Sequence, residues 1–269
     1  MLTTDWGREK GGGVRQILAI AGLLVKEIFR KKDFYVALIL SAVILFYASQ
    51  LQFYHVENIV RYLMEIGLAL CFIFSALLTV SLAARQYPSE VQSRTLQVLM
   101  AKPLLRLHFV LGKFVGSLFA GTLCFLVFYA MFLFFTLSKT HSLSIFMAAE
   151  TFYLFFLNLM VLTAMTSGLS YSLTVSANVT ISLITYVLIN TYGVTLRETS
   201  EGLFWLSRWL AEGFYYVMPH FEFFDIRQRF IHGWGPVSDK LLLFLTVYAV
   251  FYSTFFLMIG WLKFRNKTL

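Results

Sequence analysis

Charge is scarce in this 269-residue chain, where Asp, Glu, Lys and Arg together make up 13%. Soluble domains run near a quarter charged, so a protein that must keep its whole surface wet is excluded. Cysteine is almost missing too. Cys71 and Cys124 both lie inside apolar runs, where they act as small hydrophobes and imply no disulfide framework. The marks of enzymatic chemistry are absent as well. There is no HExxH, no GxSxG and no pair of aspartates within an apolar run, so a membrane protease lacks its apparatus. There is no phosphate-cradling loop: Gly112-Lys113 is followed by Phe114, without the upstream glycine such a loop needs. Any nucleotide must therefore be hydrolysed by another chain. The opening MLTTDWGREKGGG lacks the basic, apolar, small-residue order of a cleaved signal and is expected to be a polar tail.

What is present is grease. The chain is 59% hydrophobic and 18% aromatic, with a mean hydropathy of +0.74. A hydrocarbon core of ~30 Å needs ~20 apolar helical residues. Six runs meet or nearly meet that length: 34–51, 62–84, 114–137, 145–168, 173–195 and 241–262. The fold class expected is all-α integral membrane with six transmembrane helices. Glu65 and Glu150 are the formal charges within those runs, each near a run's end, where water or headgroups are expected to be in reach.

The net charge of +8 does not point to nucleic acid, because in such a chain the placement of the cations matters more than their sum. With the N-terminus in the cytoplasm, 15 of the 22 Lys and Arg fall on the inner side and seven on the outer side. Five of those seven lie in the long segment 196–240, where the positive-inside rule weakens. Both termini are expected inside. The Asn178-Val-Thr180 and Asn266-Lys-Thr268 sequons fall in a span and at the cytoplasmic end, and are chance matches.

Before the first run, Val14, Ile17, Leu18, Ala21, Leu24, Val25 and Ile28 recur at helical spacing with basic flanks. The continuous apolar part is too short to cross a bilayer, so residues 1–33 divide into a tail and an interfacial amphipathic helix. Residues 34–269 form the six-helix domain. Between spans 2 and 3, segment 85–113 is amphipathic. Pro88 is expected to break the helix of span 2, Ser89 to cap a new one with Gln92 in capping-box position, and Pro103 to end it. Leu96, Leu99, Met100 and Pro103 form an apolar stripe on that short helix. It rests either on a partner protein or on headgroups and the chain's own loops.

Spans 4 and 5 carry many small and hydroxylated residues, among them Thr163, Thr166, Gly168, Ser182 and Thr185. Close helix packing explains them; a polar translocation lining is the alternative, with Asn178 and Asn190 its best candidates. Segment 196–240 is rich in Trp and Phe, which suits short outer helices at the interface, broken near Pro219. His55, His141, His220 and His232 fall on that outer side without metal-ligand spacing.

Glu90, Thr95-Leu96, Leu99, Pro103, Arg106 and Gly112-Lys113 match the E-x(4)-T-L-x-x-L-x(3)-P-x-x-R-x(5)-G-K pattern of type-2 ABC exporter permeases, and the chain resembles that family. Arg94 stands where many members have glycine. The plan of elbow helix, six spans and large outer segment agrees over nearly the whole chain, and Met218 to Asp225, MPHFEFFD, resembles a run common there. The resemblance implies a permease subunit with no cofactor of its own. ATP and Mg would sit on two copies of a partner ABC ATPase, and a second permease chain would complete a homodimer in a bacterial inner membrane. It leaves room for an accessory protein on the outer face. The 85–113 segment would hold the coupling helix. Leu96, Leu99 and Met100 would dock on the ATPase, Arg94 and Arg106 would pair with its acidic groups, and Glu90, Thr95 and Pro103 would complete the element. The family's cavity, lined by spans 1, 2 and 5, would expose Phe46, Tyr47, Phe72, Phe74 and Asn190. A proton- or ion-coupled carrier and a non-transporting scaffold are the rival classes.

Overall fold

The computed structural model describes residues 21–24, 26–27, 30, 32–50, 56–92, 106–139, 144–199 and 218–265, and for 56–60 and 191–199 the helical backbone alone. The regular elements among them are all helical: α1 (Lys32–Gln50), α2 (Val56–Gln92), α3 (Arg106–Leu137), α4 (Ile145–Ser170), α5 (Val175–Thr199), a 3₁₀ turn (Phe221–Phe224), α6 (Arg227–His232) and α7 (Asp239–Arg265). Helices α1, α2 from Arg61, α3, α4 and α7 are long and apolar enough to cross a bilayer, while the apolar part of α5, Val175–Asn190, is shorter. Among the described residues, five spans stand by length and composition, against the six expected.

Lipid is as apolar as leucine, so helices in a bilayer associate through close packing rather than through exclusion of water. That explains how unevenly the spans are buried. The apolar window of α2 is 61% buried and that of α4 56%, against 17% for α7. In α4, every residue from Val161 to Gly168 is buried. Contact with α7 there is backbone to backbone. A Cβ on Gly168 would lie 2.5 Å from the Phe256 carbonyl oxygen, and one on Gly260 would lie 3.0 Å from the Gly168 Cα, so a side chain at either point would force the helices apart. Hydroxyls in this core cannot stay unpaired without cost. Most turn to their own helix: Thr163 donates to the Leu159 carbonyl at 2.6 Å and Thr166 to that of Leu162 at 2.8 Å.

Two expectations need correction. The first concerns Pro88, which does not break the helix of span 2. Helix α2 runs through it to Gln92, 37 residues in all, or about 55 Å at ~1.5 Å per residue, far more than the hydrocarbon core requires. Ser89 is inside this helix, its hydroxyl donating to the Gln86 carbonyl at 3.3 Å, and is not an N-cap. A proline inside a helix costs roughly 3 kcal/mol, and packing on both sides of it offsets that cost. Tyr87 packs on Tyr171 and Phe264 with ring centroids 4.8 and 5.7 Å apart, and Glu90 beyond the proline is ion-paired to α3. The second concerns Glu150, which is not within reach of water: it is 7% exposed, and its Oε1 accepts the Val237 backbone N–H at 2.7 Å.

Of the amphipathic helix expected before α1, the described residues are helical and two-sided. Ala21 and Leu24 are buried against Gly116 of α3, while Leu23, Lys26, Glu27 and Arg30 are exposed. In the segment expected to hold short outer helices, the described part is the 3₁₀ turn just after Pro219 and the six-residue α6. Phe221, Phe224, Phe230 and Val237 bury these into the bundle.

Candidate coupling site and membrane path

Helix α3 opens at Arg106, and two turns later Lys113 sits 7% exposed among apolar neighbours. An ammonium buried there needs acceptors. Helix α2 supplies them one turn apart on one face, as i and i+4: Lys113 Nζ donates to Glu90 Oε1 at 2.7 Å and to Gln86 Oε1 at 3.2 Å. It also lies 5.7 Å from the centre of the Phe109 ring. An aromatic collar of Tyr87, Phe109, Tyr171 and Phe264 closes over this end of the bundle. Arg106 Nη1 donates to the carbonyls of Phe264 and Arg265 at 3.3 and 2.5 Å, capping the last turn of α7 where the helix dipole favours a cation. The C-termini of α2, α4 and α7 thus meet the N-terminus of α3 at one basic end.

Two residues of the expected coupling element have partners within the chain. Glu90 is turned onto Lys113 and Arg106 onto α7. Arg94, Thr95, Leu96, Leu99, Met100 and Pro103 lie outside the described residues. The sequence pattern contained Glu90 and Lys113 but did not pair them. The signal was a lone lysine beside an apolar run, with Gln86 and Glu90 four residues apart on the preceding helix.

The five residues expected at a cavity divide. Phe46 and Tyr47 are exposed on α1, at 52% and 68%. Phe74 is half-buried, packed beside Phe128. Phe72 is 4% exposed, its ring stacked on Phe155 at 4.0 Å, a core position with no outward face. Asn190 is half-buried, and its Oδ1 finds no partner among the described residues. Asn178, the other lining candidate, is fully buried and ties α5 to α4 through Nδ2 and the Thr166 carbonyl at 3.0 Å, while Ser182 donates to its Oδ1. For Asn178, packing is the role.

The opposite end has charges that sequence reasoning did not pair. Arg227 forks onto Asp225, Nε to Oδ1 at 2.9 Å and Nη2 to Oδ2 at 2.6 Å, and its guanidinium lies 5.6 Å from the Phe72 ring centre. The hydrogen bonds that Arg227 donates to the Asp225 carboxylate hold it above the ordinary arginine range. His220 is pulled below the usual imidazole value by burial, against the opposing charge of Glu222. Its backbone N–H and Nδ1 both meet the Tyr248 hydroxyl, at 2.9 and 3.2 Å. His55 and His141 lie outside the described residues, among which no cluster of three metal-ligating side chains occurs.

A helical bundle in which several helices are long and apolar enough to cross a bilayer is a polytopic membrane protein. Residues 23–198 match the model of the ABC-2 family transporter protein, well over half of the chain, and the chain belongs to that family. Membership implies a membrane subunit that works with a partner ATPase. No curated protein matches the chain.

Proposed function

We propose that this chain is the permease subunit of an ATP-driven exporter, two copies of it moving substrate by alternating access while two ATPase chains hydrolyse ATP. The observation behind this reading is the Lys113 end. Helix α2 projects beyond the hydrocarbon core, and Glu90, at the root of the 93–105 segment, is ion-paired to Lys113 of α3. Any displacement of the segment between them is then delivered to both spans at once, because rigid elements transmit motion that a flexible loop would absorb. The gathering of Arg85, Arg106, Lys113, Lys263 and Arg265 at this end favours a cytoplasmic placement, the side on which ATP is found. The exposed apolar faces of α1 and α5, with Tyr35, Ile39, Phe46, Ile184 and Val187, offer a surface for a second copy beside Asn190. A proton-coupled carrier needs a titratable group on a conducting path, and buried Glu150 is engaged by the Val237 amide instead.

The test is ATP hydrolysis by the assembled complex in proteoliposomes. Leu99→Asp, which puts a charge into the docking stripe, is expected to abolish substrate-stimulated hydrolysis while the permease keeps its helical content and its place in the membrane. Hydrolysis at the unsubstituted rate would overturn the reading.

A further inference from the structure

Near its start α2 places Arg61 and Glu65 one turn apart, both exposed. Opposite charges at this spacing ordinarily pair, yet neither makes an ion pair among the described residues. Instead they line, with Tyr62 and with Gln228, Ile231 and His232 of α6, a pocket of about 200 Å³. Behind it Arg227 is ion-paired to Asp225 and is also within the electrostatic reach of Glu65, while the charges that line the pocket itself are those of Arg61 and Glu65. The rim is built with care. Gly233 and Gly235 adopt φ of +62° and +85°, which side chains disfavour, and this folds Trp234 back so that its ring lies on that of His232, centroids 5.3 Å apart and 15° from parallel. Trp234 remains 67% exposed and Tyr62 59%. Exposed Trp and Tyr at the ends of membrane spans mark the headgroup level.

We propose that this pocket binds the head group of a zwitterionic phospholipid bearing a primary ammonium, as in phosphatidylethanolamine. Arg61 takes the phosphate, for which a guanidinium fork is suited, with Gln228 as a further donor. Glu65 takes the ammonium. The pocket is small beside the roughly 300–1,000 Å³ of sites that enclose a whole drug-sized ligand, as suits a ligand whose acyl chains stay in the bilayer alongside Tyr62 and Trp234. An anionic head group without an ammonium satisfies Arg61 but faces Glu65, so the pocket selects by repulsion as well as attraction. This site is separate from the Lys113 end and does not depend on the transport reading.

The experiment is native mass spectrometry of the delipidated full-length chain, incubated with phosphatidylethanolamine, phosphatidylglycerol or water-soluble glycerophosphoethanolamine. The unsubstituted protein should retain the first lipid over the second by about tenfold, one well-placed charge pair's worth. Arg61→Ala should remove retention of both lipids, whereas Glu65→Gln should reverse the preference toward phosphatidylglycerol, a gain that a misfolded protein cannot produce. Equal retention of the two lipids by the unsubstituted chain, or a Glu65→Gln variant with the original preference, overturns the proposal. So does glycerophosphoethanolamine binding as tightly as the lipid, which would make the ligand a soluble phosphate ester.

Discussion

At the basic end of the bundle, a cation on α3 meets an anion 23 residues earlier on α2, a contact whose closure costs entropy that grows only slowly with the length between its ends. At the opposite end, Arg227 meets Asp225 two residues away, within one turn. Both pairs are short, and both are partly sheltered, yet they do different work. The first fastens α2 to α3 on either side of the 93–105 segment; the second stiffens a turn that apolar packing of Phe221, Phe224 and Phe230 already holds in place. Sequence separation, more than bond length, decides which contact can transmit motion. The buried Glu150 to Val237 bond spans more of the chain than either, joining α4 to the chain just before α7 across 87 residues, but through one neutral donor.

Breaking the long-range pair should do the most damage. Glu90→Ala leaves the buried Lys113 ammonium with the Gln86 oxygen as its acceptor at 3.2 Å. The expected loss is about 3–5 kcal/mol of stability, the cost of an uncompensated buried charge, read as a lowered thermal midpoint in detergent. Glu90→Ala with Lys113→Met removes both charges and should recover most of that loss, because the penalty comes from the orphaned partner rather than from the missing attraction. Additive losses in the double variant would show that the two side chains are not coupled, and would equate the two ends of the bundle.

Smaller effects are expected opposite. Glu150→Ala strands the Val237 amide in the bundle, costing about 1–3 kcal/mol. The loss should be confined to the segment before α7 and visible as faster hydrogen exchange at Val237 while α2 and α3 stay protected. Arg227→Lys keeps the charge but loses the fork. About 1 kcal/mol is expected, with no change at the Lys113 end.

How much of this could be read from sequence follows from what sequence periodicity encodes. Apolar runs of bilayer length gave α1, α4 and α7 almost at their bounds, since hydropathy is a local quantity, while α3 begins at Arg106, well before the run at 114–137. The Pro88 break was misjudged because proline's cost is local too, whereas its compensation through Tyr171, Phe264 and Lys113 comes from helices distant in the chain. Glu150 was misjudged for the same reason: its depth could be counted along the span, but its donor lies 87 residues on. The resemblance put Phe72 at a cavity by span number, while the helix face it occupies turns it onto Phe155. Asn178 and Asn190 are the same amide twelve residues apart on α5; neighbouring helices alone distinguish the tie from the unpartnered group.

The smallest expected effect lies at His220, where the turn after Pro219 meets α7. Burial disfavours the imidazolium, so the folded protein binds its proton less readily than the unfolded chain, whose imidazole titrates near the ordinary value. In the interval between the lowered folded value and that ordinary value, the unfolded state holds more protons, and stability therefore rises with pH. His220 thus contributes fully above about pH 6.5, and its contribution falls away as the solution is acidified below that. His220→Gln, which keeps a hydrogen-bonding group beside the Tyr248 hydroxyl but cannot titrate, should flatten that part of the stability profile while leaving the neutral-pH midpoint nearly unchanged. Should the acid-side slope persist in the variant, the titrating group belongs to another part of the bundle, and the comparison between its two ends would have to be redrawn around that group.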